Sequence, residues 1–188
     1  MMKVIGIVGE KASGKETWGN LLFEFLDAEG STYTRIRSSD ILNETLNLWH
    51  IPSTRENLQK LPVGMESMFG EGSLTRAVEE RIRSLASDIV IFDGVRWYSD
   101  VAMIRSFPDN LLIYVTACVD TRFMRIRNRK EKVGEFGLSY EQFLKEERAA
   151  TEIHIPKIGK GADYTFENNG DVLELSGSVG DFYQSAIR

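Results

Sequence analysis

Apolar residues in this chain fall into two patterns. In the first they form short, nearly continuous runs: positions 3–8, 88–92 and 111–115 are almost wholly aliphatic or aromatic. Runs of that length suit strands covered on both faces. Positions 32–36 make a weaker strand carried by Tyr33 and Ile36, and 164–166 a late edge strand. In the second pattern apolar residues recur every three or four positions. Trp18, Leu21, Leu22, Phe25 and Leu26 predict a helix over 17–28, and Leu74, Val78, Ile82 and Leu85 another over 74–85. Further helices are predicted over 41–48, 99–106, 120–129 and 139–150, with a last one near Asp181. Strands alternating with helices imply an α/β fold. The expected architecture is three-layered, a central parallel sheet of about five strands with helices on both faces. Segments 62–72, 129–139 and 157–161 read as turn-rich or mobile because glycines interrupt them.

The chain length of 188 residues fits one domain. An apolar fraction of 42% and a charged fraction of 27% exclude collagen-like, mucin-like and disordered chains. The net charge of −5 argues against nucleic acid as a partner. The lone cysteine, Cys118, excludes an internal disulfide and suits a reducing cytosol. No apolar run approaches the ~20 residues of a membrane helix, so a cytoplasmic location without membrane contact is expected. The apolar start runs directly into a glycine-bearing loop and is read as a first strand, not a signal peptide.

That loop is the sharpest chemical signal. Gly9-Glu10-Lys11-Ala12-Ser13-Gly14-Lys15-Glu16-Thr17 places two glycines, with four residues between them, and a lysine between a predicted strand and a predicted helix. A phosphate-binding loop requires this context. Glycines let backbone N–H groups turn inward, the helix start adds positive potential, and Lys15 supplies a compact charge for the β- and γ-phosphates. The common motif has Ser or Thr directly after the lysine to hold Mg²⁺. Here Glu16 takes that place and the hydroxyl follows at Thr17. Glu16 is expected to point to solvent on the first helical turn, where the dipole favours an acid.

The displaced threonine resembles adenylate kinase and other nucleoside monophosphate kinases. The acid between lysine and threonine is similar to the deoxynucleoside monophosphate kinases of viruses and bacteria. The resemblance implies a P-loop NTPase fold in a single domain spanning 1–188. An acceptor-binding (NMP-binding) insertion is expected over about 38–72 and a lid over about 127–140. ATP and Mg²⁺ are the implied cofactors, with Gly9, Lys11, Ala12, Ser13, Gly14, Lys15, Glu16 and Thr17 around the donor phosphates.

Ser38-Ser39-Asp40-Ile41-Leu42-Asn43 resembles the start of the acceptor-binding helix in nucleoside monophosphate kinases. Taken alone, Ser39 or Asp40 is a good helix N-cap. Those kinases carry an arginine where Asn43 stands. Arg55, in a Ser-Thr-Arg-Glu-Asn stretch, is a substitute able to clamp a phosphate in a bidentate way. The third strand ends Phe92-Asp93-Gly94-Val95-Arg96, similar to the matching segment of deoxynucleoside monophosphate kinases and archaeal kinase-like proteins. An acid at the carboxyl end of a buried strand sits where ligands bind in such sheets. Asp93 would hold a metal-bound water or orient the acceptor, or else it is a turn residue. Arg96 is expected to grip acceptor phosphate.

Arg122, Arg125 and Arg129 share one helical stripe that leads into the predicted lid. The stripe is either a solvated face or the set of cations that neutralises the transferring phosphoryl. Finally, Ala162-Asp163 and Asn168-Asn169-Gly170 are similar to the end of dephospho-coenzyme A kinases, where the asparagine lies near adenine. Read alone, Asn168 belongs to a turn.

The expected activity is transfer of the ATP γ-phosphoryl to a small-molecule acceptor. A (deoxy)nucleoside monophosphate is the first candidate and dephospho-coenzyme A the second. Lys15, Asp93, Asp40, Arg122 and Arg129 are the expected catalytic residues, and Thr17 and Asp93 the metal-associated ones. Arg125 and Asn168 complete the nucleotide site. Ser39, Asp40, Arg55 and Arg96 form the acceptor site. A reading from another class is a nucleotide-dependent ATPase switch acting on a partner protein.

Overall fold

The computed structural model describes residues 2–128, 138–149 and 152–188. Five strands form one sheet: β1 (Lys3–Val8), β2 (Tyr33–Arg37), β3 (Ile89–Val95), β4 (Asp109–Thr116) and β5 (Tyr164–Glu167). Their order is β2-β3-β1-β4-β5 and every pairing is parallel. The central position of β1 explains its near-continuous apolar run, since both faces are covered. Alternation then divides the core. Val4 and Val8 join one apolar layer, Ile5 and Ile7 the other.

The second of these layers lies under α1 (Lys15–Ala28), which buries Trp18, Leu22 and Leu26. Trp18 meets Phe166 edge-on at 5.2 Å between ring centroids. Burying a side chain of that size contributes about 1.5–3 kcal/mol. Helix α2 (Ser38–Leu48) follows β2, then α3 (Arg55–Phe69) and α4 (Ser73–Arg83), before the chain returns to the sheet as β3. Helix α5 (Tyr98–Arg105) crosses to β4. Helices α6 (Val119–Asn128), α7 (Tyr140–Glu147) and α8 (Ile155–Gly159) precede β5. Helix α9 (Val172–Phe182) packs on α1 and ends in a π-helical turn, Tyr183–Ile187.

Two expectations about loops are corrected. Residues 62–69 are the second half of helix α3, although Pro62 stands inside it. Thr54 caps this helix by accepting the Asn57 N–H, and the fifteen-residue length outlasts the one bond Pro62 removes. Helix α3 buries no side chain and leaves Val63, Met68 and Phe69 exposed, so no apolar stripe marked it. The segment 157–161 also differs from expectation. Ile155 and Ile158 are buried in the first apolar layer and hold α8 against β1 and β4. The predicted lid, with Arg129, lies mostly outside the described residues.

Candidate functional site

Strand β1 ends at Val8, and the loop 9–14 turns tightly into α1. Gly14 has φ +98°, a left-handed conformation that glycine adopts without strain. Gly9 is required for a different reason, close approach: a Cβ there would collide with the Val115 carbonyl and lie 2.9 Å from Ser13 Oγ. The Ser13 side chain is fully buried and its hydroxyl has no hydrogen-bond partner among the described residues. A buried hydroxyl without a partner is unusual, and an anion in the loop would satisfy it.

Lys15 arches back over the loop. Its Nζ donates to the carbonyls of Gly9 at 2.6 Å and Glu10 at 2.8 Å. Burial pushes its ammonium down to about 8; Asp93 opposes this and Arg96 adds to it. The charged amine is thus held by two dipoles, which an incoming polyphosphate can replace with full charges. The pH dependence follows. Phosphate binding selects the protonated amine, which the empty site keeps only below about pH 8. Above that, complex formation must take up a proton, so affinity for an ATP analogue should fall by about tenfold per pH unit. Fluorescent-nucleotide titrations from about pH 7 to about pH 9.5 check this, and a flat profile contradicts it.

Two side chains brace the loop from outside. Asn168 donates from Nδ2 to the Ser13 carbonyl at 2.9 Å. Arg125 donates to the Ser13 carbonyl at 3.3 Å and to Asn168 Oδ1 at 3.4 Å. Any side chain at Gly14 would strike Asn168. Arg122 is buried, donating to the Ala117 carbonyl at 3.0 Å and pairing with Glu147 at 2.6 Å. Its Nη1 also approaches the Lys11 carbonyl at 3.5 Å. The stripe expected on α6 is therefore no solvated face at these two positions; both reach the loop. Lys11 pairs with Glu146 at 2.9 Å, and Ala12 is buried with φ +59°. Glu16 is exposed as expected, and Thr17 is half-buried on the first turn of α1.

Across the crevice, β3 ends with a register skip past Gly94, opposite the junction of Ile7 and Val8. Asp93 faces the α1 side. Its Oδ2 accepts from Arg35 Nε at 3.1 Å, from Arg35 Nη2, and from Arg37 Nε at 3.3 Å. Sequence reasoning missed both arginines. The signal was available: they flank the core residue Ile36 at a spacing of two, which sends both to the face opposite it. Arg96 pairs with Glu152, and both lie close enough to shift Lys15. Asp100 fixes the Arg96 backbone by accepting its N–H at 3.0 Å, with Thr75 donating to the same carboxylate. Burial raises the Asp100 carboxyl above the usual range.

The other acceptor-side residues are more dispersed. Asp40 accepts the Arg37 N–H at 2.8 Å and so closes the first turn of α2. Ser39 is exposed beside it, and Arg55 is exposed at the start of α3. Glu10, also unremarked in the sequence, is buried; it accepts from the Tyr114 hydroxyl, and its second oxygen is unpaired among the described residues. Burial and this carboxylate push the Tyr114 hydroxyl up to about 12.

No cluster of three acidic, His or Cys side chains able to hold a metal occurs among the described residues. Of the two residues expected to be metal-associated, Thr17 is half-buried on the first turn of α1 and Asp93 Oδ2 is bound by Arg35 and Arg37. No described helix is long and apolar enough to cross a membrane.

Comparison with solved structures places this geometry in a known fold. The shikimate kinase of Bacteroides thetaiotaomicron superposes with a TM-score of 0.64 at 17% identity, covering 98% of both chains. A Thermus thermophilus protein gives 0.62 at 19% identity, covering 100% of this chain and 99% of its own. The fold is that of P-loop kinases. No family model matches the sequence. Among sequence relatives, a UPF0200 protein of Methanoregula boonei is 25% identical over 190 residues, covering 100% of this chain and 99% of that protein. A UPF0200 protein of Methanoculleus marisnigri is 30% identical over 129 residues, covering 68% of this chain and 67% of that protein. On that similarity the chain belongs to the UPF0200 family.

Proposed function

We propose that this protein is an ATP-dependent phosphotransferase that moves the γ-phosphoryl to a small acceptor, a (deoxy)nucleoside monophosphate first of all. The observation that carries the reading is Lys15 folded onto its own loop carbonyls, with a buried Ser13 hydroxyl that has no partner among the described residues and with Asp93 and Arg96 near enough to act on the amine. Phosphoryl transfer depends mostly on positioning and charge neutralisation. In this reading the acceptor oxygen bonds to the γ-phosphorus as the bond to the β–γ bridging oxygen breaks, and that oxygen leaves with ADP.

Lys15 and the loop amides hold the donor phosphates, with Arg125 and Asn168 stiffening the loop behind them. Thr17 and Asp93 would hold the nucleotide's Mg²⁺, which adds positive charge to the phosphates. Asp93 orients the attacking group. Arg96 faces the acceptor, and Arg55 reaches it from the insertion at about 38–72. Arg122, pinned beside the loop, and Arg129 in the lid at about 127–140 supply further positive charge.

An ADP-release screen across nucleoside and deoxynucleoside monophosphates, with dephospho-coenzyme A and shikimate alongside, tests the proposal. ADP release that rises at least about tenfold with one acceptor supports a kinase. Slow ATP turnover that no acceptor changes supports the switch.

A further inference from the structure

The Asp93 carboxylate is bound by more cation than it needs. Arg35 alone gives its Oδ2 two N–H donors. Arg35 is also packed in place: its guanidinium lies over the Phe23 ring at 5.8 Å and donates to the side-chain Oδ1 of Asn20 at 3.5 Å. Arg37 is held differently. It reaches Asp93 at 3.3 Å and Glu16 at 3.5 Å, both at the long end for an ion pair, and its side chain is 41% exposed. It stands at the carboxyl end of β2, between the start of α1 and the start of α2, at the edge of the sheet where ligands bind in such folds. The acid that replaces the common hydroxyl after Lys15 therefore has a partner: Glu16 helps to park Arg37.

We infer that Arg37 is a substrate-responsive latch, bound to Asp93 while the crevice is empty and drawn to the anionic group of the acceptor when it arrives. This rests on the kinase reading and adds to it a specificity for acceptors that carry a phosphate or carboxylate. An anion outcompetes the two long contacts because a guanidinium binds it through two parallel hydrogen bonds. When Arg37 leaves, Asp93 keeps Arg35 as its partner, so no buried charge is stranded. Asp93 is then answered by one guanidinium in place of two, and its free charge orients the attacking group. Without acceptor the latch stays shut. Water attack, in which water's oxygen bonds to the γ-phosphorus, ADP leaves and the water proton is released to solvent, is thereby suppressed, because Asp93 is not free to orient the water.

The test uses Arg37→Gln and Arg37→Lys in the full chain, with inorganic phosphate as the anion probe. Calorimetry on protein saturated with AMP-PNP, so that the phosphate loop is filled, should show phosphate binding to the wild type. Binding should weaken by about tenfold or more in Arg37→Gln, the loss expected for a charged hydrogen-bonding partner. Arg37→Lys, which keeps charge but not the paired donors, should fall between. Acceptor-independent ADP release should rise several-fold in Arg37→Gln, an effect that a merely structural arginine would not produce. Unchanged phosphate binding, or an unchanged basal rate, in a variant that still binds AMP-PNP overturns the latch and leaves the kinase reading standing. Failure of the wild type to bind AMP-PNP overturns the kinase reading, and the latch falls with it.

Discussion

Replacing Lys15 with alanine should abolish ADP release while leaving the fold intact. The amine sits on the Gly9 and Glu10 carbonyls of the loop, and removal of one preorganised charge at a developing anion costs on the order of a hundredfold to a thousandfold in rate. Here the loss should be larger, because the same group also holds the ground-state phosphates. Stability should change little. The variant loses two hydrogen bonds to loop carbonyls but is also relieved of a buried ammonium whose charge burial disfavours. A melting temperature within about 2–4 °C of the wild type, equivalent to roughly 1 kcal/mol at this chain length, is expected. Thermal melting and an ADP-coupled assay check the two halves. Full turnover in Lys15→Ala would place the site elsewhere.

The second large effect belongs to Gly9. Gly9→Ala forces a methyl group into the backbone carbonyl of Val115, which cannot rotate away as a side chain would. The neighbours on the other side, Ser13 Oγ at 2.9 Å and Lys15 Cγ at 3.1 Å, are parts of the loop itself. Overpacking of this kind costs about 1–3 kcal/mol, and the rigid partner puts Gly9 at the top of that range. A fall in melting temperature of roughly 6–12 °C is expected, together with loss of nucleotide binding. Gly177→Ala is the matched control. It lies within α9, where a Cβ meets nothing within 4 Å. That substitution should stabilise by about 0.5–1 kcal/mol, because alanine is the better helix former. Equal melting temperatures for the two variants would show that the loop is not closed against β4 as described.

The legibility of the chain followed burial. Strands β1, β3 and β4 were readable because central parallel strands must be apolar on both faces. Helix α1 was readable because one of its faces is core. Helix α3 lacked any such stripe, and its Pro62 and Gly64 read as punctuation. Helix α8 is too short for periodicity to show, and only its burial reveals that it is fixed. At the site, the loop residues were legible because their spacing is dictated by phosphate geometry. Arg35 and Arg37 were passed over, because charged residues in a strand carry no motif; their spacing about Ile36 sets only the face they share. Their meaning came from the register that sets Arg37 opposite Asp93. Arg122 looked like part of a surface stripe, and its burial against the loop depends on α7, which supplies Glu147. The sequence also held no hint that Glu10 would be buried, since its partner Tyr114 comes from β4.

The central claim is that the bend between β1 and α1 is an anion cradle. A crystal structure with AMP-PNP and Mg²⁺ tests it most directly. The account predicts the β- and γ-phosphates within the loop, the Ser13 hydroxyl donating to one of them, and Lys15 Nζ transferred from the Gly9 and Glu10 carbonyls to phosphate oxygens. A nucleotide bound elsewhere, with Lys15 still on those two carbonyls, would contradict it.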